Sequence, residues 1–184
     1  MADLLDVLAA LYLHEPSPEM IREYNEYIVP FVEQQMAGFL KPVDETEIDA
    51  LKQDYHALFL VPVSGRYLSP FESAQRSHRL WGPMTHEVAL IYTQTGFDIN
   101  ALVTDEIWRA VAMPDHIGYE LAFTCLLLRH MPSEEASLKD TYRYFIQQHV
   151  LSWIPEYGER LQTLASTRFY KDVGKMTASF VRML

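Results

Sequence analysis

The segment PDHIGYELAFTCLLLRH at residues 114–130 decides the fold class of this 184-residue chain. From Ile117 onward apolar residues occupy almost every face of a helix, and little polar face is left before His130. A helix that is apolar on all sides is buried among other elements. Because Pro114 and Asp115 are residue types that favour a helix start, we predict that the central helix of the protein begins at this point.

Helical periodicity continues upstream of this segment. A first helix is predicted to end near His14, after which Ser17 and Pro18 have the residue types of an N-cap and a first helical position. The second helix contains Pro30, which is expected to kink it. Capping-box spacing and regularly spaced apolar residues predict a third helix over about 44–60.

The chain between the third helix and the central helix has a weaker pattern. Residues 61–70 lack a helical period and are predicted to form a loop. Ser69 and Glu72 then have the spacing of a capping box, so a short helix is expected over 71–80. Over 96–113 the periodicity supports only part-helical structure.

Helical patterns also follow the central helix, after a predicted break at 131–133. The sequence contains no strand pattern, repeat or low-complexity tract. We therefore predict an all-α protein, a single helical-bundle domain over residues 1–184 with about eight to ten helices. The segments 96–113 and 152–156 are candidate hinges. A monomer is expected, and such hinges would permit a domain-swapped dimer.

Composition and charge exclude several classes of function. The chain has 15 basic and 25 acidic residues and a net charge of −10, which disfavours binding to nucleic acid and favours a cationic partner. The longest apolar run is far shorter than the roughly 18 residues of a membrane span, so no stable membrane insertion is expected. A single cysteine, Cys125, and the lack of a secretion signal predict a cytoplasmic protein.

The common signatures of metal and cofactor sites are missing. The sequence has no Glu-x-x-His pair, no His-Glu-x-x-His, no paired cysteines, no P-loop and no GxGxxG motif. Neither a metal ion nor a bound cofactor is therefore expected. The Cys125 thiol lies in the most apolar segment with no basic neighbour, which is typical of a buried and inert cysteine.

Two clusters place polar residues at helix starts that are otherwise apolar. The first is 69–73, where Ser69 and Glu72 could simply satisfy helix N–H groups. The second is 113–121, where Asp115 could also act as a cap. His116 and Glu120 in this second cluster are i, i+4 neighbours, however, and burying both costs free energy unless they find partners. A functional site and a purely structural role both remain open on these observations.

Four motifs in order give the chain a family resemblance. They are Tyr-x-x-Leu-Phe at 55–59, Pro-Phe-Glu-Ser at 70–73, Pro-Asp-His-Ile-Gly-Tyr-Glu-Leu at 114–121, and a histidine followed by Trp-x-Pro at 149–155. Together they resemble the TorD/DmsD/NarJ family of cytoplasmic chaperones that mature molybdenum-containing oxidoreductases. The resemblance extends over nearly the whole chain.

The resemblance implies a TorD-like helical fold and a chaperone rather than an enzyme. Its partners would be a precursor molybdoenzyme catalytic subunit and the twin-arginine signal peptide of that precursor. Binding would assist cofactor insertion and prevent premature export. A binder of such a peptide needs carboxylates beside an apolar groove, since the peptide has a basic start and an apolar middle.

The resemblance and the local chemistry together nominate a set of peptide-binding residues. Glu72 and Asp115 are assigned as acidic contacts or organisers of the site, with His116 orienting them. Aromatic side chains would form its walls. The complete candidate set is Tyr55, Phe71, Glu72, Ser73, Trp81, Asp115, His116, Tyr119 and Glu120.

Two alternatives come from other classes of protein. A helical enzyme or small-ligand-binding protein could use Asp115, His116 and Glu120 as acid and base, although the sequence offers no nucleophile or second catalytic cluster. A permanent structural subunit of an oxidoreductase complex is the other, and it would leave a large apolar patch on the isolated chain.

Overall fold

A computed structural model describes residues 1–130 and 136–184, with only the backbone described at 136–138. The α-helices of these residues are α1 (Ala2–Leu13), α2 (Pro18–Glu23), α3 (Val29–Gln35), α4 (Ile48–Tyr55), α5 (Glu72–Ser77), α6 (Pro83–Thr95), α7 (Glu106–Val111), α8 (Ile117–His130), α9 (Ala136–Phe145), α10 (Ile154–Leu164) and α11 (Arg168–Val181). The predicted all-helical fold is confirmed. The predicted break at 131–133 lies outside the described residues.

Three π turns extend these helices. They span Tyr24–Ile28, His56–Leu60 and Ile146–Val150. The first joins α2 to α3, so helical structure continues through Pro30. Its last hydrogen bond, from the Val29 N–H to the Tyr24 carbonyl, ends directly before Pro30. Pro30 lies in the first turn of α3. Proline is tolerated there because the N–H group that it lacks would have no partner within the helix.

Helix α8 is buried along most of its length, as the apolar segment predicts. It packs along α1, and the C-terminal helices α10 and α11 pack against each other. Gly118 permits the close approach of α8 to α1, because a Cβ atom at this position would lie 2.5 Å from Leu13 Cγ. A side chain here would force the Leu13 side chain to move.

The helix predicted over 71–80 is shorter in the structure. Helix α5 ends at Ser77 because His78 has a φ of 56°, in the left-handed region that stops a helix. Trp81 also has a positive φ, of 57°. The connection between α5 and α6 is therefore a tight irregular turn, and it exposes both side chains to solvent.

The segment 96–113 has the part-helical structure that its pattern predicts, with a 3₁₀ turn at Ile99–Ala101 and the short helix α7. Across the two described ranges, the only strand-like pairing is an isolated antiparallel bridge between Phe71 and His116. None of the helices in these ranges is long and apolar enough to span a membrane.

Candidate functional site

The two motifs at 70–73 and 114–121 bind each other through their backbones. The Glu72 N–H donates to the Asp115 carbonyl at 2.9 Å, and the Ile117 N–H donates to the Pro70 carbonyl at 2.8 Å. The bridge between Phe71 and His116 lies between these two bonds. Motifs more than 40 residues apart in sequence thus form one unit, which joins the start of α5 to the start of α8.

The Asp115 side chain caps α5 rather than its own helix. Its Oδ2 atom accepts a hydrogen bond from the Ser73 N–H at 2.8 Å, across 42 residues of sequence. The capping box predicted from Ser69 is wrong, since Phe71 is the N-cap residue and offers no side-chain bond. Within the described residues, the Ser69 hydroxyl has no hydrogen-bond partner. Asp115, from a distant segment, therefore caps α5 in place of the local Ser69.

Three carboxyl groups meet in the interior beside this cap. The side chains of Glu72, Asp115 and Glu120 are all 0% exposed. Burying charge is costly unless partners are supplied, and Glu72 has two. Its Oε1 atom forms an ion pair with Arg76, and its Oε2 atom lies 2.8 Å from Nδ1 of His149.

The histidine that contacts Glu72 is His149, whereas the sequence assigned the orienting role to His116. His116 Nδ1 instead accepts a hydrogen bond from the Gly118 N–H at 3.1 Å. Burial lowers the pKa of His116 to about 3, so its ring is neutral at physiological pH. His149 reaches Glu72 because the π turn at 146–150 brings it against the start of α5.

Glu120 is the carboxyl group of this cluster whose pKa is raised. Its Oε2 atom accepts a hydrogen bond from the Trp153 indole N–H at 3.0 Å. Burial raises the pKa of Glu120 well above its ordinary value, and the nearby charges of Glu72 and Asp115 raise it further. This upward shift favours the protonated form of Glu120, which lowers the cost of placing three acids together.

The aromatic residues connect this cluster to the surface. The His116 ring lies 4.4 Å from the Trp108 ring, centroid to centroid. Trp108 donates its indole N–H to the Tyr55 hydroxyl at 2.6 Å, and Tyr119 donates to the Trp108 carbonyl at 3.2 Å. The predicted wall residues Tyr55 and Tyr119 thus both form hydrogen bonds with Trp108, a residue that was not predicted to belong to the site.

Eight of the nine predicted site residues are buried, and Trp81 alone among them is exposed, at 56%. The buried eight bring together both motifs and Tyr55. Trp81 lies on the turn between α5 and α6. The candidate residues therefore form an organising interior rather than the open walls of a groove.

Among the hydrogen bonds of the described residues, none joins the side chains of Asp115, His116 and Glu120 to one another. Their side chains bond to three different partners, the Ser73 N–H, the Gly118 N–H and the Trp153 indole. Across residues 1–130 and 136–184, no group of three or more His, Cys, Asp or Glu side chains is arranged to hold a metal ion.

Two surface clefts adjoin the cluster. One, the acidic cleft, has a volume of about 450 Å³ and is lined by Tyr55 and by three acidic residues and one lysine, which are Glu15, Asp105, Glu106 and Lys52, among others. The other has a volume of about 270 Å³ and is lined by polar residues and by Arg76 and Trp153, the partners of Glu72 and Glu120. The first of these clefts has the charge that suits a cationic ligand.

The sequence matches the nitrate reductase delta subunit family over residues 7–158, which is most of the chain. The chain belongs to the nitrate reductase delta subunit family. This membership confirms the family resemblance of the motifs, all four of which lie within the matched range. No curated protein matches the sequence.

A solved structure supports the fold of this member of the delta subunit family. The structure is of a redox enzyme maturation protein from Archaeoglobus fulgidus, which is 17% identical in sequence and has a TM-score of 0.62. The match covers 99% of this chain and 94% of that chain. The likeness is one of fold, and it extends through α11, beyond the range of the family match.

Four residues that contact the candidate site of this delta subunit family member were not predicted from the sequence. His149 and Trp153 lie in the fourth motif, so that motif was the available signal for them. Arg76 follows Glu72 by one helical turn, a spacing at which an ion pair could have been anticipated. Trp108 lies in the weakly patterned segment 96–113, where nothing in the sequence distinguishes it from a core residue.

Proposed function

We propose that this protein is a chaperone that binds the twin-arginine signal peptide of a precursor molybdenum oxidoreductase. It assists insertion of the cofactor and holds the precursor back from export, and it has no catalytic activity of its own. Membership of the nitrate reductase delta subunit family supports the class of function. The fold shared with a redox enzyme maturation protein supports the same class.

The observation that carries the peptide-binding proposal is the path from the 114–121 motif to the acidic cleft. His116 packs on Trp108, Trp108 bonds to Tyr55, and Tyr55 lines the cleft. The buried motif residues therefore position a wall of an acidic surface site. In this arrangement Asp115 and Glu72 organise the site, and exposed carboxylates make the contacts with arginine.

Glu106 is the best placed of these carboxylates. In the described part of the chain it forms no ion pair, whereas Glu15 lies 3.1 Å from His56 and Asp105 lies 3.2 Å from His14. Guanidinium groups bind carboxylates through paired hydrogen bonds, so an unpaired acid in a cleft suits an arginine side chain.

Calorimetry with a synthetic twin-arginine signal peptide from a molybdoenzyme precursor of the same organism tests the proposal. We expect micromolar or tighter binding that weakens with added salt and with replacement of the arginine pair by lysine. Glu106→Lys should weaken binding about tenfold at low salt, because it reverses a charge that faces the peptide.

Glu156→Lys is the matched control, since Glu156 is exposed and lines the other cleft. It changes the net charge equally and should leave the affinity within about twofold of wild type. Equal losses in both variants would mean that the whole-molecule charge attracts the peptide and that the acidic cleft does not bind it. No binding by the wild type would reject the signal peptide as the ligand.

The description of the family as a delta subunit favours a second candidate, a permanent subunit of the mature oxidoreductase. Co-expression with the precursor separates the two functions. A chaperone is expected to co-purify with the cofactor-free precursor and to be absent from the cofactor-loaded enzyme. A permanent subunit would remain in both at equal stoichiometry.

A further inference from the structure

The second cleft beside the buried cluster, the arginine cleft, differs in charge from the acidic cleft. Its lining residues are Gln75, Arg76, Ser152, Trp153, Glu156, Tyr157 and Arg160. Two of these residues are basic and one is acidic, whereas three acidic residues and one lysine line the acidic cleft. On a chain of net charge −10, this excess of basic residues is a local exception. The charge of the arginine cleft favours an anionic ligand.

Arg160 supplies a positive charge that no acid compensates. In the part of the chain that the structure describes, its guanidinium group forms no ion pair, and Nη1 donates to the side-chain oxygen of Gln75 at 2.6 Å. Gln75 is held in turn, because its side-chain amide donates to the Ser69 carbonyl at 2.6 Å. The guanidinium group of Arg160 is thus positioned by a neutral partner, which leaves its Nε and Nη2 donors for a ligand.

Arg76 adds a second guanidinium group, which is anchored to the interior. Its Nη1 atom forms the ion pair with Glu72 and donates to the Gln148 carbonyl at 2.8 Å. Among residues 1–130 and 136–184 no acceptor contacts its Nε or Nη2 atom, and its side chain is 31% exposed. Guanidinium groups bind carboxylate and phosphate oxygens through pairs of N–H donors. Two such groups, one on α5 and one on α10, therefore suit a ligand with two negative charges.

The walls and the volume of the arginine cleft limit the size of this ligand. Trp153 and Tyr157 are buried residues that contribute aromatic surface to the cleft. Their polar atoms donate to other groups, the Trp153 indole N–H to Glu120 and the Tyr157 hydroxyl to the Leu68 carbonyl. The volume of about 270 Å³ is below the roughly 300–1,000 Å³ of pockets for drug-sized molecules. A small dianion suits this volume better than a nucleotide does.

Glu156 is the lining residue that opposes an anion. Its side chain is exposed, and within the described residues it forms no ion pair. Glu156 precedes Arg160 by four residues, so both lie on the same side of α10. An anion bound to Arg160 is therefore repelled by the Glu156 carboxylate, and removal of that charge should strengthen binding.

We propose that the arginine cleft binds a small dianion, a phosphate group or a dicarboxylate, through Arg76 and Arg160. This ligand is opposite in charge to the signal peptide, and the cleft shares no lining residue with the acidic cleft. The inference therefore goes beyond the proposed function and does not depend on it. Because Arg76 also pairs with Glu72, the bound dianion contacts a residue that touches the buried carboxyl groups.

Calorimetry with the full chain tests the proposal. Sodium phosphate and sodium succinate serve as the two dianions, and sodium acetate serves as the monoanion, all at the same ionic strength and at a pH where phosphate carries two charges. We expect at least one dianion to bind saturably with a dissociation constant of about 1 mM. Acetate should bind about tenfold more weakly, since it engages only one guanidinium group.

Arg160→Gln should weaken binding of the dianion about tenfold, because it removes one of the two guanidinium groups. Arg22→Gln is the matched control, since Arg22 is exposed on α2, lines neither cleft and changes the net charge equally. Its affinity should stay within about twofold of wild type. Glu156→Gln should bind about threefold more tightly. All three side chains are exposed, and circular dichroism and thermal midpoints check that the variants fold.

The outcomes separate this proposal from the signal-peptide function. Binding of a dianion that Arg160→Gln weakens and Arg22→Gln preserves supports it, and the tighter of phosphate and succinate gives the ligand class. Equal affinity for acetate would show unselective attraction of anions and would overturn it. Equal losses in Arg160→Gln and Arg22→Gln, no loss in either, or no binding of either dianion would also overturn it. None of these results alters the test of signal-peptide binding, which uses a different ligand and a different cleft.

Discussion

Asp115→Ala should lower the free energy of unfolding by about 3 kcal/mol, because it removes the cap of α5 and leaves the buried Ser73 N–H without an acceptor. For a chain of this length that corresponds to a thermal midpoint lower by roughly 6–12 °C. Urea unfolding followed by circular dichroism measures the change. Asp115→Asn keeps an oxygen in the same place, so it should recover more than half of the lost stability.

Ser69→Ala is the matched control for this prediction. A local capping box would make this substitution cost about 1 kcal/mol. The structure instead gives the Ser69 hydroxyl no partner among the described residues, so its loss should change stability by less than about 0.5 kcal/mol. If Ser69→Ala proved the more damaging of the two, the long-range cap by Asp115 would be the wrong account of α5.

Glu120→Gln should reduce the loss of stability that the protein undergoes as pH rises. Burial and the neighbouring acids raise the pKa of Glu120 in the folded protein well above the ordinary 4.5, so between these two values the folded state binds a proton that the unfolded chain has lost. The free energy of unfolding therefore falls as pH rises above 4.5, by about 1.4 kcal/mol per pH unit from this group, until the folded carboxyl ionises.

Glutamine has the shape of the protonated acid and cannot ionise, so the variant should lack this fall. Urea unfolding of both proteins between pH 4.5 and 8 tests the prediction, and the stability of Glu120→Gln relative to wild type should grow with pH. The exposed Glu156→Gln variant should run parallel to wild type. Parallel curves for Glu120→Gln as well would show that Glu120 is already ionised in the folded protein.

The sequence predicts the helices of this fold well because their patterns are local. The buried α8 follows from an apolar run, and the start of α2 follows from Ser17 and Pro18, with Ser17 accepting the predicted hydrogen bond from the Met20 N–H. Failures arise where a distant partner decides the outcome. Ser69 has the spacing of a capping box, but Asp115 from another segment caps the helix instead.

The membership of the candidate site was more predictable than its geometry. The motifs indicate that the segments around Glu72 and Asp115 belong together, and the structure places these segments in contact. Sequence spacing could not show which histidine reaches Glu72, since that depends on how the π turn at 146–150 packs on α5. Nor could it show the two clefts, because each is formed by residues from several segments of the chain.

The long reach of these contacts sets the order in which the protein can assemble. Helix α5 has six residues, too few to be stable alone, and its cap comes from 42 residues further along the chain. The contact of the Glu72 carboxylate with His149 joins residues that are 77 positions apart in the chain. During synthesis from the N-terminus, the interior of the site is thus completed only after His149 has emerged. A nascent or truncated chain that ends before this residue lacks an organised site.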